Sequence, residues 1–140
     1  MCGILGASFS EGAIDPERFL EALNLISHRG PDSTGSWFHD SNQDALGFKR
    51  LSILDLSNKG NQPFTSNCGH YKMVFNGEIY NFAALKKLLV KKNYTFYSNS
   101  DTEVLLYAYT EWGPECLQKI EGMFAFAIYD SIQSTIFLAR

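Results

Sequence analysis

The chain has 140 residues, the length of one domain, and its 45% hydrophobic and 19% charged content is that of a folded protein, not a disordered one. Twelve Lys and Arg against fifteen Asp and Glu give a formal net charge of -3, which leaves no electrostatic footprint for nucleic acid or an anionic membrane. No apolar run approaches the roughly 20 residues that span a bilayer, the N-terminus lacks a basic stretch followed by an apolar one, and three cysteines without CxxC or Cys/His spacing argue against a disulfide framework or structural zinc. The expectation is a cytosolic protein without a metal.

Residues 2–9 are small, apolar and glycine-bearing, and read as a strand that opens the chain. Asp15-Pro16-Glu17 supplies an N-cap, a proline at N1 and an acidic first turn. Phe19, Leu20, Leu23 and Ile26 then recur at helical spacing, which predicts a helix from Pro16 to Ser27. His28 to Gly35 reads as an ordered loop, because Arg29-Gly30-Pro31-Asp32 suits neither periodic structure. Strands are expected at Ser36–His39 and Ala45–Leu54 around an Asn42-Gln43-Asp44 turn, followed by a polar loop from Asp55 to Pro63.

Tyr71 to Phe75 forms the next strand, ending at Asn76-Gly77. Asn81 can cap a helix with Leu85, Leu88 and Leu89 facing the core and Lys86, Lys87, Lys91 and Lys92 in solvent. Ser100-Asp101-Thr102-Glu103 has the S-x-x-E form of a capping box, leading through Val104, Leu105, Tyr107 and Ala108 to a stop at Gly113-Pro114. After a short helical turn at Leu117–Ile120, Met123–Tyr129 and Thr135–Leu138 read as strands joined by a polar turn, with Phe124, Phe126 and Ile128 on the buried face. Strands bracket helices here instead of alternating with them one by one, which favours an α+β layered sheet. The last strand leaves an apolar edge bare, so the chain is expected to be incomplete at its C-terminus.

Removal of Met1 would make Cys2 the first residue, and small residues in second place are what removal generally requires. A thiol beside a free α-amino group is a nucleophile and a base in one residue. Buried cysteine is also common inert packing, the alternative for Cys2, while Cys68 and Cys116 read as unpaired thiols. Asn76-Gly77-Glu78 follows a strand, where a side-chain amide and a glycine N–H can point at developing negative charge as an oxyanion hole. Asn-Gly is equally the commonest hairpin turn. Arg50 offers a planar fork suited to a carboxylate, or an outward-facing strand side chain. Asp101, at a helix start, either complements the helix dipole or binds an ammonium. His28, His39 and His70 lack metal-ligand spacing.

Met1-Cys2-Gly3-Ile4-Leu5-Gly6, HRGPDSTG from His28, RLSILDLSNKGNQPF from Arg50, FNGEIYNF from Phe75 and SDTE from Ser100 together resemble the glutaminase domain of glutamine-hydrolysing asparagine synthetases, in order and over nearly the whole chain. The resemblance implies an N-terminal nucleophile hydrolase fold, a four-layer αββα sandwich of antiparallel sheets between helices, and hydrolysis of the glutamine side-chain amide. It makes Cys2 the nucleophile with its own α-amine as base, and Asn76 and Gly77 the oxyanion hole. Arg50 matches the residue that binds the glutamine α-carboxylate, and Glu78 and Asp101 those that hold its amino end. Arg29 and Asp32 are assigned to loop structure. Phe48 stands where many relatives carry a histidine and is given no catalytic meaning.

The family's glutaminase domain continues beyond Phe137-Leu138-Ala139-Arg140 and joins an ATP-using synthetase domain, so residues 1–140 are expected to be a partial glutaminase domain. No cofactor is expected in this chain; ATP and Mg are implied only for the synthetase domain. The expected partners are glutamine and that domain or a complementing chain, and bare apolar surface is compatible with a homo-oligomer. The alternative is a non-catalytic remnant that keeps the glutamine pocket.

Overall fold

The computed structural model describes residues 2–52 and 60–140. Its strands are β1 (Gly3–Ser8), β2 (Ser33–Phe38), β3 (Asp44–Arg50), β4 (Phe64–Thr65), β5 (Tyr71–Ile79), β6 (Gly122–Asp130) and β7 (Thr135–Ala139). The helices are α1 (Pro16–Leu25), α2 (Phe82–Lys91) and α3 (Asp101–Trp112), with 3-10 turns at Ser27–Arg29 and Gly113–Gln118. One sheet has the order β1-β3-β2 and the other β4-β5-β6-β7, with every pairing antiparallel.

Strand alternation sends successive side chains to opposite faces, and here each face finds its own cover. Leu46 and Phe48 of β3 meet Val74 of β5 and Ala127 and Tyr129 of β6, so the two sheets pack face to face. Met73, Phe75, Phe126 and Ile128 point the other way, onto Leu85 and Leu89 of α2 and Val104, Leu105 and Ala108 of α3. On the far side of the first sheet, a side chain at Gly47 would crowd Phe19 and Leu23 of α1, so glycine lets that helix sit directly on β3. The layers therefore run α1, sheet, sheet, α2 with α3, which is the α+β αββα arrangement expected from the sequence.

Local signals account for most element boundaries. Asp15 caps α1 by accepting from the N–H groups of Glu17 and Arg18, with Pro16 at the first position. Several expectations need correction. Leu20 and Leu88 are 38% and 48% exposed, because the buried stripe of α1 narrows to Phe19 and Leu23, and that of α2 to Leu85 and Leu89. Asn81 takes the N-cap position of α2 but its side chain makes no capping bond: its amide donates to the Lys119 carbonyl at 2.8 Å and accepts from Glu121 N–H at 3.0 Å, tying α2 to the approach of β6. Lys86 is not simply solvated, since its ammonium lies 4.8 Å from the centre of the Phe96 ring and donates to the Ser98 carbonyl.

The capping box at Ser100 is half formed. Ser100 Oγ accepts from Glu103 N–H at 3.4 Å, while the Glu103 carboxylate turns to Tyr97 N–H, Ser98 N–H and the Ser98 hydroxyl. β2 begins at Ser33, inside the expected loop, and β4 is a short strand that periodicity does not announce. β3 stops at Arg50, and Ile53 and Leu54, the end of the strand expected there, lie outside the described residues, as does most of the Asp55–Pro63 loop.

Candidate active site

β5 does not end at Phe75. It continues through Asn76 and Gly77 to Ile79, with Asn76 opposite Ala125 and Gly77 opposite Phe124 on β6. The Asn-Gly pair is thus in a strand interior, and the hairpin-turn reading is set aside. A Cβ at Gly77 would collide with the Met123 carbonyl oxygen and the Phe124 backbone, so this position requires glycine for the close approach of β6. Alternation along β5 puts Asn76 and Glu78 on the same face as Val74, the face turned to the first sheet.

Cys2 immediately precedes β1 and packs against the inter-sheet cluster. Its thiol sits at the end of β3, accepting from Leu51 N–H at 3.3 Å and donating to the Leu51 carbonyl at 3.6 Å. The Arg29 guanidinium donates to the Cys2 carbonyl at 3.5 Å, and Asp32 accepts from Ser52 N–H at 2.7 Å. Both residues of the His28–Gly35 segment therefore hold backbone around the thiol, in keeping with their assignment to loop structure.

Arg50, the last residue of β3, is buried and donates to Asn61 Oδ1 at 2.8 Å. Asp101, the first residue of α3, is buried too, and accepts from Ile79 N–H at 3.0 Å. Burial pushes its carboxyl above the ordinary carboxylate value, against the hydrogen bonds from Ile79 and the start of α3, and the like charge of Glu78 pushes the same way. Ser100, not Asp101, caps α3, which leaves Asp101 facing the site.

Cys2, Arg50, Asn76, Gly77, Glu78 and Asp101, the six residues singled out in the sequence, all line one cavity of about 230 Å³. This lies below the ~300–1,000 Å³ typical of drug-sized sites and suits a small molecule. The cavity carries a thiol, a guanidinium, an amide with a glycine N–H, and two carboxylates. A ligand with a carboxylate, an ammonium and an electrophilic centre matches that set. Gln62, Ser100 and Thr102 also line it and were not anticipated as site residues. Gln62 shows no periodicity in the sequence, and its burial arises only from the tertiary fold.

Cys116 is buried, and burial pushes its thiol up to about 11, which fits inert packing. Cys68 is exposed, and both are free thiols. Among the described residues no group of His, Cys, Asp or Glu is arranged to hold a metal ion, and no helix is long and apolar enough to cross a membrane.

The fold is shared with solved structures. Glutamine phosphoribosylpyrophosphate (PRPP) amidotransferase from B. subtilis superposes with a TM-score of 0.71 at 21% identity, over 93% of this chain and 35% of that one. A structure described as the allosteric regulatory enzyme of purine biosynthesis gives a TM-score of 0.75 at 20% identity, over 91% of this chain and 35% of that one. Residues 1–140 match the family profile described as a glutamine amidotransferase domain, and the chain belongs to that family. Asparagine synthetase [glutamine-hydrolyzing] 1 of Bacillus subtilis (strain 168) is 43% identical over 145 residues, covering 100% of this chain and 22% of that protein. Asparagine synthetase B [glutamine-hydrolyzing] of Escherichia coli (strain K12) is 39% identical over 142 residues, covering 100% and 25%. The chain thus spans about a quarter of the length of these curated relatives.

Proposed function

We propose that this chain hydrolyses the side-chain amide of glutamine to glutamate and ammonia, with Cys2 as nucleophile. The observation that carries the reading is the convergence of Cys2, Arg50, Asn76, Gly77, Glu78 and Asp101 on one cavity from β3, β5, α3 and the residue just before β1. Arg50 holds the α-carboxylate of glutamine as a charge-assisted pair. Asp101 and Glu78 take its ammonium, and the charge that burial disfavours on Asp101 gains a partner when substrate arrives.

With Met1 removed, the Cys2 α-amine accepts the thiol proton and the sulfur forms a bond to the amide carbon. The carbonyl electron pair moves onto oxygen, where the Asn76 side-chain amide and the Gly77 N–H donate to it. As that oxyanion collapses the C–N bond breaks, and the protonated α-amine returns its proton to the departing nitrogen, giving ammonia and a thioester. Water activated by the same amine then attacks the thioester carbon, releasing glutamate and restoring the thiol.

Residues 1–140 serve, on this reading, as the ammonia-supplying part of a cytoplasmic asparagine synthetase-like amidotransferase. The acceptor is aspartate or another carboxylate activated by a synthetase domain, with which ATP and Mg belong; no cofactor acts in the glutaminase step.

The test is glutamate release from glutamine by the purified chain, with its N-terminus established as Cys2 by mass spectrometry and Cys2→Ala as control. Release that disappears in the control supports the proposal. Glutamine binding without release from folded, processed protein refutes turnover by this chain and favours the remnant reading.

A further inference from the structure

β4 pairs with β5 at Phe64 opposite Met73 and Thr65 opposite Lys72. Carried two residues further, that register would set Gln62 opposite Phe75. The side chain of Gln62, not its backbone, fills the place. Its Oε1 accepts from Phe75 N–H at 2.6 Å and its Nε2 donates to the Phe75 carbonyl at 3.2 Å, so one amide satisfies both backbone groups where the ladder has ended. The same Nε2 donates to Thr102 Oγ1 at 3.4 Å, reaching the first turn of α3 beside Asp101. Gln62 is buried, as a side chain with this many polar contacts must be satisfied internally.

The Phe75 carbonyl lies in the same rigid peptide plane as the Asn76 N–H. A hydrogen bond that holds this carbonyl therefore sets the plane from which the Asn76 side chain and, one residue on, the Gly77 N–H depart. We infer that Gln62 is a positioning residue, a strut that fixes the Asn76-Gly77 end of β5 and locks it to the helix carrying Asp101. The inference rests on the glutamine-hydrolysis reading for its kinetic consequence, but the strut itself is a property of the folded chain. Misplacing a reacting group by about 1 Å costs on the order of a hundredfold in rate, so small tilts of that plane suffice.

Gln62→Met keeps length and volume and removes all three hydrogen bonds; Thr102→Val removes only the link to α3. With folded fraction measured by circular dichroism and the N-terminus established as Cys2, kcat per folded molecule should fall about tenfold to a hundredfold in Gln62→Met, and less in Thr102→Val. KM for glutamine should stay within about twofold of the wild-type value, since KM changes track uniform substrate binding. The rate of Cys2 alkylation by iodoacetamide, read by peptide mass spectrometry, should be unchanged, because that reaction builds no oxyanion. Hydrogen exchange at the Phe75 amide should accelerate in Gln62→Met while the amides of Leu105 and Leu106 stay protected.

Unchanged kcat, a kcat loss accompanied by an equal loss of Cys2 alkylation, or unchanged Phe75 exchange would each overturn the strut. A wild-type chain that hydrolyses no glutamine refutes the functional reading instead, and the Phe75 exchange then decides the strut alone.

Discussion

Ile79, the last residue of β5, donates its backbone N–H to the carboxylate of Asp101, the first residue of α3, at 3.0 Å. That bond holds a buried carboxylate against the cavity, and the charge that bears on it, Glu78, has the same sign. On the proposed glutamine-hydrolysis reading, an arriving ammonium pairs with this carboxylate. Asp101→Asn keeps an acceptor for Ile79 N–H and removes the charge. A hydrogen bond to a charged group contributes about 1.5–3 kcal/mol, so KM for glutamine should rise roughly tenfold to a hundredfold at ~1.4 kcal/mol per decade, with a smaller change in kcat. Steady-state glutaminase kinetics check this, and an unchanged KM would remove Asp101 from the ammonium site.

The same residue gives stability a pH dependence of known sign. Its folded-state pKa is raised above 3.8, so between 3.8 and the raised value the folded chain binds more protons than the unfolded one. Its contribution is fully present below 3.8 and is lost as pH rises through the folded-state pKa. Asp101→Asn should therefore stabilise the protein relative to wild type more at pH 7 than at pH 4. Urea unfolding at the two pH values measures the difference, and an advantage that is larger at pH 4 would contradict the burial argument.

Asn76 shares the inward face of β5 with Val74 and Glu78, and its side-chain amide has no hydrogen-bond partner among the described residues. Its value is expected to appear only when charge develops on the substrate oxygen. Loss of one such donor costs about 2.7–4 kcal/mol of barrier, so Asn76→Ala should lower kcat by about 10²–10³ with KM little changed. A raised KM at unchanged kcat would assign Asn76 to substrate binding.

Gly77→Ala tests backbone approach. The added methyl meets the Met123 carbonyl and the Phe124 backbone, neither of which is a flexible chain end, so β5 and β6 must separate locally. Overpacking of this kind costs about 1–3 kcal/mol. Both the melting temperature and kcat should fall, and a variant as stable as wild type would show that β6 yields without strain.

Much of this was legible in the residues themselves. Asp15-Pro16 announced α1 through its cap, and the Phe124, Phe126, Ile128 alternation announced the helix-facing side of β6. The family resemblance picked out the six cavity residues, although they arrive from β3, β5, α3 and the residue just before β1. What stayed hidden depends on partners distant in sequence. Asn76-Gly77 has the local form of a turn, and only pairing with Ala125 and Phe124 holds it extended. Gln62 looks like a polar loop residue until Phe75, thirteen positions on, supplies its partners. Leu88 is as apolar as a core residue, but it stays half-exposed because the buried stripe of α2 runs through Leu85 and Leu89.

Glu103 is the fully buried acid of α3, and its carboxylate accepts from Tyr97 N–H, Ser98 N–H and the Ser98 hydroxyl. Ser98 Oγ in turn meets Ser100 Oγ and Ser100 N–H, so this cluster shapes the segment that delivers Ser100 and Asp101 to the cavity. A carboxylate is acceptor-only and fits three donors; the amide of Gln would set an NH2 against N–H groups already pointing inward. Glu103→Gln should therefore destabilise the fold by about 1–3 kcal/mol, the cost of a buried donor left unsatisfied. Because Asp101 sits two residues earlier on the same turn, KM for glutamine should also rise in the molecules that remain folded. Denaturant unfolding together with kinetics corrected for the folded fraction checks both. A variant with wild-type stability would mean that the Tyr97–Ser98 backbone is held in place by packing alone.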